Sequence, residues 1–79
     1  MNTLKLKIAT PDYVIYFYYP DGKGEPGEVR MDINVGNAFV LTQASNDNSA
    51  GHYGFKAANA VKECVADNNI PLEFTNAWH

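Results

Sequence analysis

Residues 13–19 read Tyr-Val-Ile-Tyr-Phe-Tyr-Tyr, seven large apolar or aromatic side chains in a row. In an extended chain successive side chains point to opposite faces. Tyr13, Ile15, Phe17 and Tyr19 therefore share one face, and Val14, Tyr16 and Tyr18 share the other. Neither face is polar, and a strand apolar on both sides belongs in a sheet covered on both sides. The remaining sequence supplies one helix, enough for one face. The expectation is that something outside the fold covers the second.

Length sharpens that expectation. Seventy-nine residues allow a single domain, 1–79, with one small core. A core of this size supplies roughly 3–5 kcal/mol, so chains this short commonly add a staple or a partner. The one cysteine, Cys64, cannot form an internal disulfide, and no Cys/His spacing fits a structural zinc. Self-association or unusually good packing is what is left. The formal charge of −3, with a pI near 5.1, argues against a phosphate-binding surface, so no nucleic acid is expected as a partner. The carboxylates are also too scattered to imitate the charge of DNA. The N-terminus alternates apolar and polar residues instead of forming a signal-peptide core, and no segment approaches a membrane span. A soluble, cytoplasmic protein with no membrane contact is expected.

Leu4, Leu6 and Ile8 alternate with Lys5 and Lys7, a half-buried strand with its lysines toward water. Thr10-Pro11-Asp12 separates it from the aromatic strand. Residues 20–27, with two prolines and three glycines, form a loop. Val29, Met31, Ile33 and Val35 then alternate with Glu28, Arg30, Asp32 and Asn34 in a third strand, which turns near Gly36 into Ala38–Thr42. Two registers compete for this hairpin. A two-residue Gly36-Asn37 turn pairs Val35 with Ala38 and Ile33 with Val40. A three-residue Asn34–Gly36 loop, with Gly36 left-handed, pairs Met31 with Phe39 and Val29 with Leu41. Burying a Phe or Leu is worth about 1.5–3 kcal/mol, which favours the second register if only one face is covered.

Residues 45–54 are polar and read as a loop, with Asn48 or Ser49 as the helix N-cap. From Phe55 to Asn68 the period is helical: Ala57, Val61, Cys64, Val65 and Asn68 form an inward stripe with Ala58 beside it. Lys56, Asn59, Lys62, Glu63 and Asp67 look outward. Asn68-Asn69 supplies a left-handed C-cap and Pro71 prevents continuation. Leu72 and Phe74, alternating with Glu73 and Thr75, make a short last strand. The expected fold is α+β: a four-stranded antiparallel meander, one helix packed on one face, and a short C-terminal edge strand, in the order ββββαβ.

No catalytic, metal or cofactor site emerges from the residues. Cys64 lies on the inward stripe and reads as a small hydrophobe. His52 reads as a solvated loop residue and His79 as a frayed terminus. Asn46-Asp47-Asn48 with Gly51 lacks the later ligands and closing glutamate of a calcium loop. Gly22-Lys23-Gly24 lacks the Ser or Thr of a phosphate loop. The tyrosines stand out instead, because tyrosine is typical of interface hot spots. Tyr16 and Tyr18, or their neighbours of opposite parity, are the expected partner-binding anchors, with Glu28 and Asp32 as rim charges. Phe39, Leu41, His52, Tyr53 and Trp78 complete the set, although Trp78 also suits packing on the sheet edge.

In general style, a compact acidic domain rich in Tyr and Asn, the chain resembles phage-encoded inhibitors of host defence, such as anti-CRISPR proteins, and toxin-immunity proteins. It resembles no family closely enough for a residue to be carried over. The reading is a non-catalytic protein-binding module, not an enzyme, that occupies a site on a larger protein such as a host complex. The alternative is a homodimer joined through the tyrosine-rich sheet face, structural in role or sequestering a small ligand between protomers. No cofactor is expected in either case.

Overall fold

A computed structural model describes residues 1–48 and 50–78. It contains strands β1 (Asn2–Ala9), β2 (Tyr13–Pro20), β3 (Gly27–Asp32), β4 (Asn37–Thr42) and β5 (Glu73–Asn76), with one helix, α1 (His52–Ala66). The strands form a single antiparallel sheet in the order β4-β3-β2-β1-β5. The helix packs on one face, so the ββββαβ order expected from the sequence is the one observed. The last strand joins the β1 edge, where Phe74 pairs with Leu4.

Parity decides the core. Val14, Tyr16 and Tyr18 face the helix and are fully buried, together with Leu4, Val29 and Val61. This overturns Tyr16 and Tyr18 as partner-binding anchors, since both rings lie beneath the helix at 0% exposure. Each hydroxyl finds a partner, as a buried phenol requires. Tyr16 donates to the Pro71 carbonyl (2.6 Å), and its ring meets Phe74 edge-on at 5.5 Å. Tyr18 donates to Asp47 Oδ2 (2.8 Å) and accepts from the Ala44 N–H (2.9 Å).

The helix is thin where it matters. Its buried residues are Gly54, Ala57, Ala58, Ala60 and Val61, so its backbone approaches the sheet closely. A Cβ on Gly54 would lie 2.9 Å from both the Tyr18 hydroxyl and Val40 Cγ2. Cys64 and Val65, expected on the inward stripe, are only half-buried. The C-terminus ends as expected: Asn68 is left-handed (φ 60°), Asn69 N–H donates to Cys64 O (2.9 Å) and Asn68 N–H to Val65 O (3.0 Å).

The helix begins at His52, earlier than the apolar period implies, and its N-terminal N–H groups are satisfied from upstream. Asn48 Oδ1 accepts from His52 N (3.1 Å), while the two carboxylate oxygens of Asp47 accept from Tyr53 N (3.0 Å) and Gly54 N (2.9 Å). The N-cap residue is Gly51, left-handed at φ 68°, and not Asn48, which reaches the first helical N–H from upstream of the cap. Ser49, the other expected cap, and His79 lie outside the described residues. Because Asp47 also accepts from Tyr18 and from Asn48 N–H, it ties β2 to the helix start. Replacing Asp47 with alanine leaves buried donors unpaired and is expected to cost about 3 kcal/mol in chemical denaturation. An Asp47→Ala chain as stable as the parent would mean that packing alone holds this junction.

The β3–β4 hairpin takes neither of the expected registers. Asp32 pairs with Asn37, Met31 with Ala38, Arg30 with Phe39 and Val29 with Val40, around a four-residue loop, Ile33–Gly36, closed by Gly36 N–H donating to Asp32 O (2.9 Å). Gly36 is left-handed (φ 76°) as expected, but the loop is one residue longer. That shift turns Ala38 and Val40 toward the helix and Phe39 away from it. The reason lies in the close helix: there is room beneath Gly54 and Ala58 for Ala38 and Val40, not for Phe and Leu.

Among the described residues the opposite face carries no second layer of backbone, yet its aromatic rings are not bare. Lys5 Nζ lies over the Tyr19 ring and Lys7 Nζ over the Phe17 ring, each at 5.3 Å, and the Arg30 guanidinium lies 4.1 Å from the centre of Tyr13. Lys7 pairs with Glu28 (2.9 Å) and Arg30 with Asp32 (2.7 Å). A bulge at Lys7 lets Ile8 pair with Ile15, which is 8% exposed. Long cationic side chains thus lay their charged heads over the rings, and two of those heads are also paired with carboxylates. This removes most of the reason for an external cover over this face.

Candidate protein-binding surface

Val35 in the hairpin loop and Leu72 before β5 are the most exposed large apolar residues, at 78% and 80%, but they stand apart from the run of exposed apolar residues along the β4 edge. Phe39, Val40 and Leu41 are 37%, 38% and 47% exposed, and Phe55, on the first turns of α1, is 61% exposed. Edge strands in natural proteins are usually guarded by lysine, proline or brevity. β4 reads Asn-Ala-Phe-Val-Leu-Thr and has no lysine or proline; a bulge near its C-terminal end is its one protective device. The far edge is different: β5 has four residues and includes Glu73.

The hydrogen-bond phase of the sheet identifies which backbone groups of β4 lack a strand partner. Ile33 N–H donates to Asp12 O (2.9 Å) around the Tyr13–Asp32 pair, so the N–H and C=O of Asp32 itself face β4. Following the ladder, Asn37 and Phe39 bond to β3. Ala38 and Val40 aim their N–H and C=O groups outward, away from the sheet. The pairing shifts beyond Val40, with Glu28 opposite Thr42, so Leu41 is the extra residue of a bulge.

Above this edge runs a groove of about 320 Å³, whose apolar walls include Ala38, Phe39, Val40, Phe55 and Ala58 and whose lining includes the Asp47 carboxylate. Two of the sequence-predicted contact residues, Phe39 and Leu41, lie on this edge strand. Val40 and Phe55 were not anticipated. Phe55 could have been found, since it sits off the small-residue stripe among Lys56 and Asn59, where a large apolar side chain has no core to enter.

His52, Tyr53 and Trp78, distant in sequence, come together on the other flank of the helix start. Trp78 meets His52 at 5.7 Å and Tyr53 at 5.4 Å, both edge-on, and Lys56 Nζ lies 5.9 Å from the indole. Asn2 Nδ2 donates to Tyr53 O (2.9 Å), and the Tyr53 hydroxyl donates to Asp21 (3.2 Å), whose carboxylate pushes that hydroxyl above the usual tyrosine range. Trp78 thus packs where the C-terminal strand leaves the sheet edge. His52 and Phe55 are three apart on the helix and so are surface neighbours. They join the aromatic corner to the β4 groove.

A second groove, of about 310 Å³, separates the C-terminal half of α1 from β5 and is lined by Glu63, Cys64, Asp67 and Asn76 among others. Burial pushes the Cys64 thiol up, and Asp67 and Glu63 add to the effect. That is the reverse of what activates a cysteine nucleophile. Among the described residues no group of three His, Cys, Asp or Glu side chains could hold a metal ion, and no helix is long and apolar enough to cross a membrane. No protein family, curated protein or solved structure matches this chain.

Proposed function

We propose that this chain is a non-catalytic protein-binding module that engages its partner through the β4 edge and the groove beneath Phe55, and acts by occupancy. One observation carries the reading. Three consecutive exposed apolar residues on an edge strand without lysine or proline adjoin a helix aromatic that is 61% exposed and borders a groove. Contiguous apolar patches of this kind mark interaction sites. The Tyr53–His52–Trp78 corner extends the same surface with residue types enriched in hot spots.

A photo-activatable phenylalanine analogue at position 55 tests this in the native cells. Under illumination it is expected to trap a protein in a discrete adduct, and an additional Leu41→Asp change is expected to abolish that adduct. Finding no adduct at position 55, with a clear one at Phe17 on the opposite face, would reject the reading.

A further inference from the structure

We infer that the occupant of the β4 edge is a second copy of this chain, joined by antiparallel pairing of the two β4 strands about a twofold axis at Phe39. The inference rests on the reading of this edge as a protein-binding surface and specifies its partner. Only Ala38 and Val40 present outward N–H and C=O groups in the regular part of the strand. A twofold at Phe39 sets Ala38 of each copy opposite Val40 of the other, so every outward group finds a reciprocal partner. Moving the axis to Ala38 drives the pairing into the Gly36 turn. Moving it to Val40 drives the pairing into the Leu41 bulge. The strand is therefore self-complementary in one register.

Side chains agree with this register. Phe39 would meet its own copy in a non-hydrogen-bonded pair, where Cα atoms approach to about 4.5 Å and side chains lie closest. On the helix side Ala38 would meet Val40, small enough to leave both grooves open along the seam for Phe55. Residues 37–43 carry no charge, so the two strands can meet without repulsion although each chain has a net charge of −3; Asp47, the acid lining the groove, is engaged by the Tyr18 hydroxyl and the first helical N–H groups. A standard interface takes roughly 800 Å² per partner, about a sixth of the 4634 Å² accessible surface. Strand pairing alone falls short of that, so Phe55 and the groove walls belong to the contact. The result would be one ten-stranded sheet with both helices on the same side, leaving the aromatic corner at each far flank uncovered.

Sedimentation of the purified full chain, from micromolar to millimolar concentration, tests the inference. The expected mass is twice 8.7 kDa, with the Ala38 and Val40 amides becoming protected from hydrogen exchange as dimer forms. Phe39→Glu keeps a favourable neighbour within the monomer, because Arg30 lies directly across the strand. In the dimer it opposes its own copy. It is expected to weaken association by at least about a hundredfold while circular dichroism is unchanged. A chain still monomeric at millimolar concentration overturns the inference, as does a dimer that survives Phe39→Glu with Ala38 and Val40 exchanging freely. If the pure chain is monomeric but position 55 still traps a different protein, the binding reading stands and only its partner is wrong. If the chain is monomeric and nothing is trapped, both fail.

Discussion

A Gly27→Ala chain is expected to lose about 4 kcal/mol or more of folding stability, a large share of the roughly 4–12 kcal/mol usual for this length. Gly27 opens β3 and pairs with Tyr18, whose ring lies across it. An added Cβ would sit 2.2 Å from Tyr18 Cε1 and 2.5 Å from the Thr42 carbonyl oxygen. Neither neighbour can withdraw. The ring is fully buried and held at its hydroxyl by Asp47 and Ala44, and the carbonyl is backbone. Overpacking usually costs 1–3 kcal/mol because side chains shift, and here the clash includes main chain. Gly36→Ala is the control: nothing lies within 4 Å of its added Cβ, so only the left-handed φ of 76° opposes it, worth about 1–2 kcal/mol. Urea denaturation of both variants checks the contrast. Equal losses at the two positions would mean that the Tyr18 ring can lift away from β3.

This glycine also shows where reading the residues stopped short. By composition it belongs to the Pro/Gly loop, and nothing local says that a tyrosine nine residues earlier needs the space above it. Strand alternation and helix period depend on neighbours along the chain. The order of elements, the C-cap at Asn68 and the inward Ala57–Val61 stripe were therefore open to derivation. Which face of β2 the helix covers was not, because both faces are apolar. The choice falls to pairing partners: the Tyr16 face meets Leu4, Leu6 and Val29, whereas the Phe17 face meets Lys5, Glu28 and Arg30 across the strands. The bulge at Lys7 and the extra hairpin residue each shift pairing by one position. A one-residue slip exchanges faces, so the longer hairpin loop decides that Val40 rather than Phe39 faces the helix, whereas the place of Tyr16 and Tyr18 turns on which apolar face of β2 is covered. Of the expected contact residues, Phe39 and Leu41 stand on the candidate edge, and His52, Tyr53 and Trp78 on its flank.

The covered face and the proposed binding edge are parts of one arrangement. Tyr18 fills the space over Gly27, and its hydroxyl holds Asp47, which in turn holds the first turn of α1. That turn carries Phe55 and forms one wall of the groove beside β4. Damage to this network therefore loosens the groove before it reaches the sheet edge itself. Stability and the shape of the proposed binding surface are coupled through Tyr18.

The same two buried phenols make the protein sensitive to alkali, with unfolding expected between pH 10 and 12. Burial pushes the Tyr16 hydroxyl up to about 12, with a smaller contribution from Cys64. It pushes Tyr18 up to about 12 as well; the Ala44 N–H opposes the rise and Asp47 adds to it. In the unfolded chain a tyrosine ionises near 10. Above that pH the unfolded state releases protons that the folded state still holds, so the equilibrium moves toward unfolding. Below pH 10 the contribution of both groups is fully present. It then falls as pH rises through the folded value. Two shifts of about 2 units, at about 1.4 kcal/mol each unit, remove about 5 kcal/mol, enough to exhaust a stability at the lower end of the usual range. Far-ultraviolet circular dichroism and tyrosinate absorbance, followed together, are expected to change in one cooperative step. Tyr16→Phe forfeits about 1 kcal/mol at neutral pH with its bond to Pro71, but removes one of the two buried phenols that titrate there, so its loss of stability above pH 10 is expected to be clearly shallower than the parent's. A wild-type chain whose stability is flat through pH 12, or a Tyr16→Phe chain with an unaltered alkaline slope, would show that these hydroxyls reach water without unfolding.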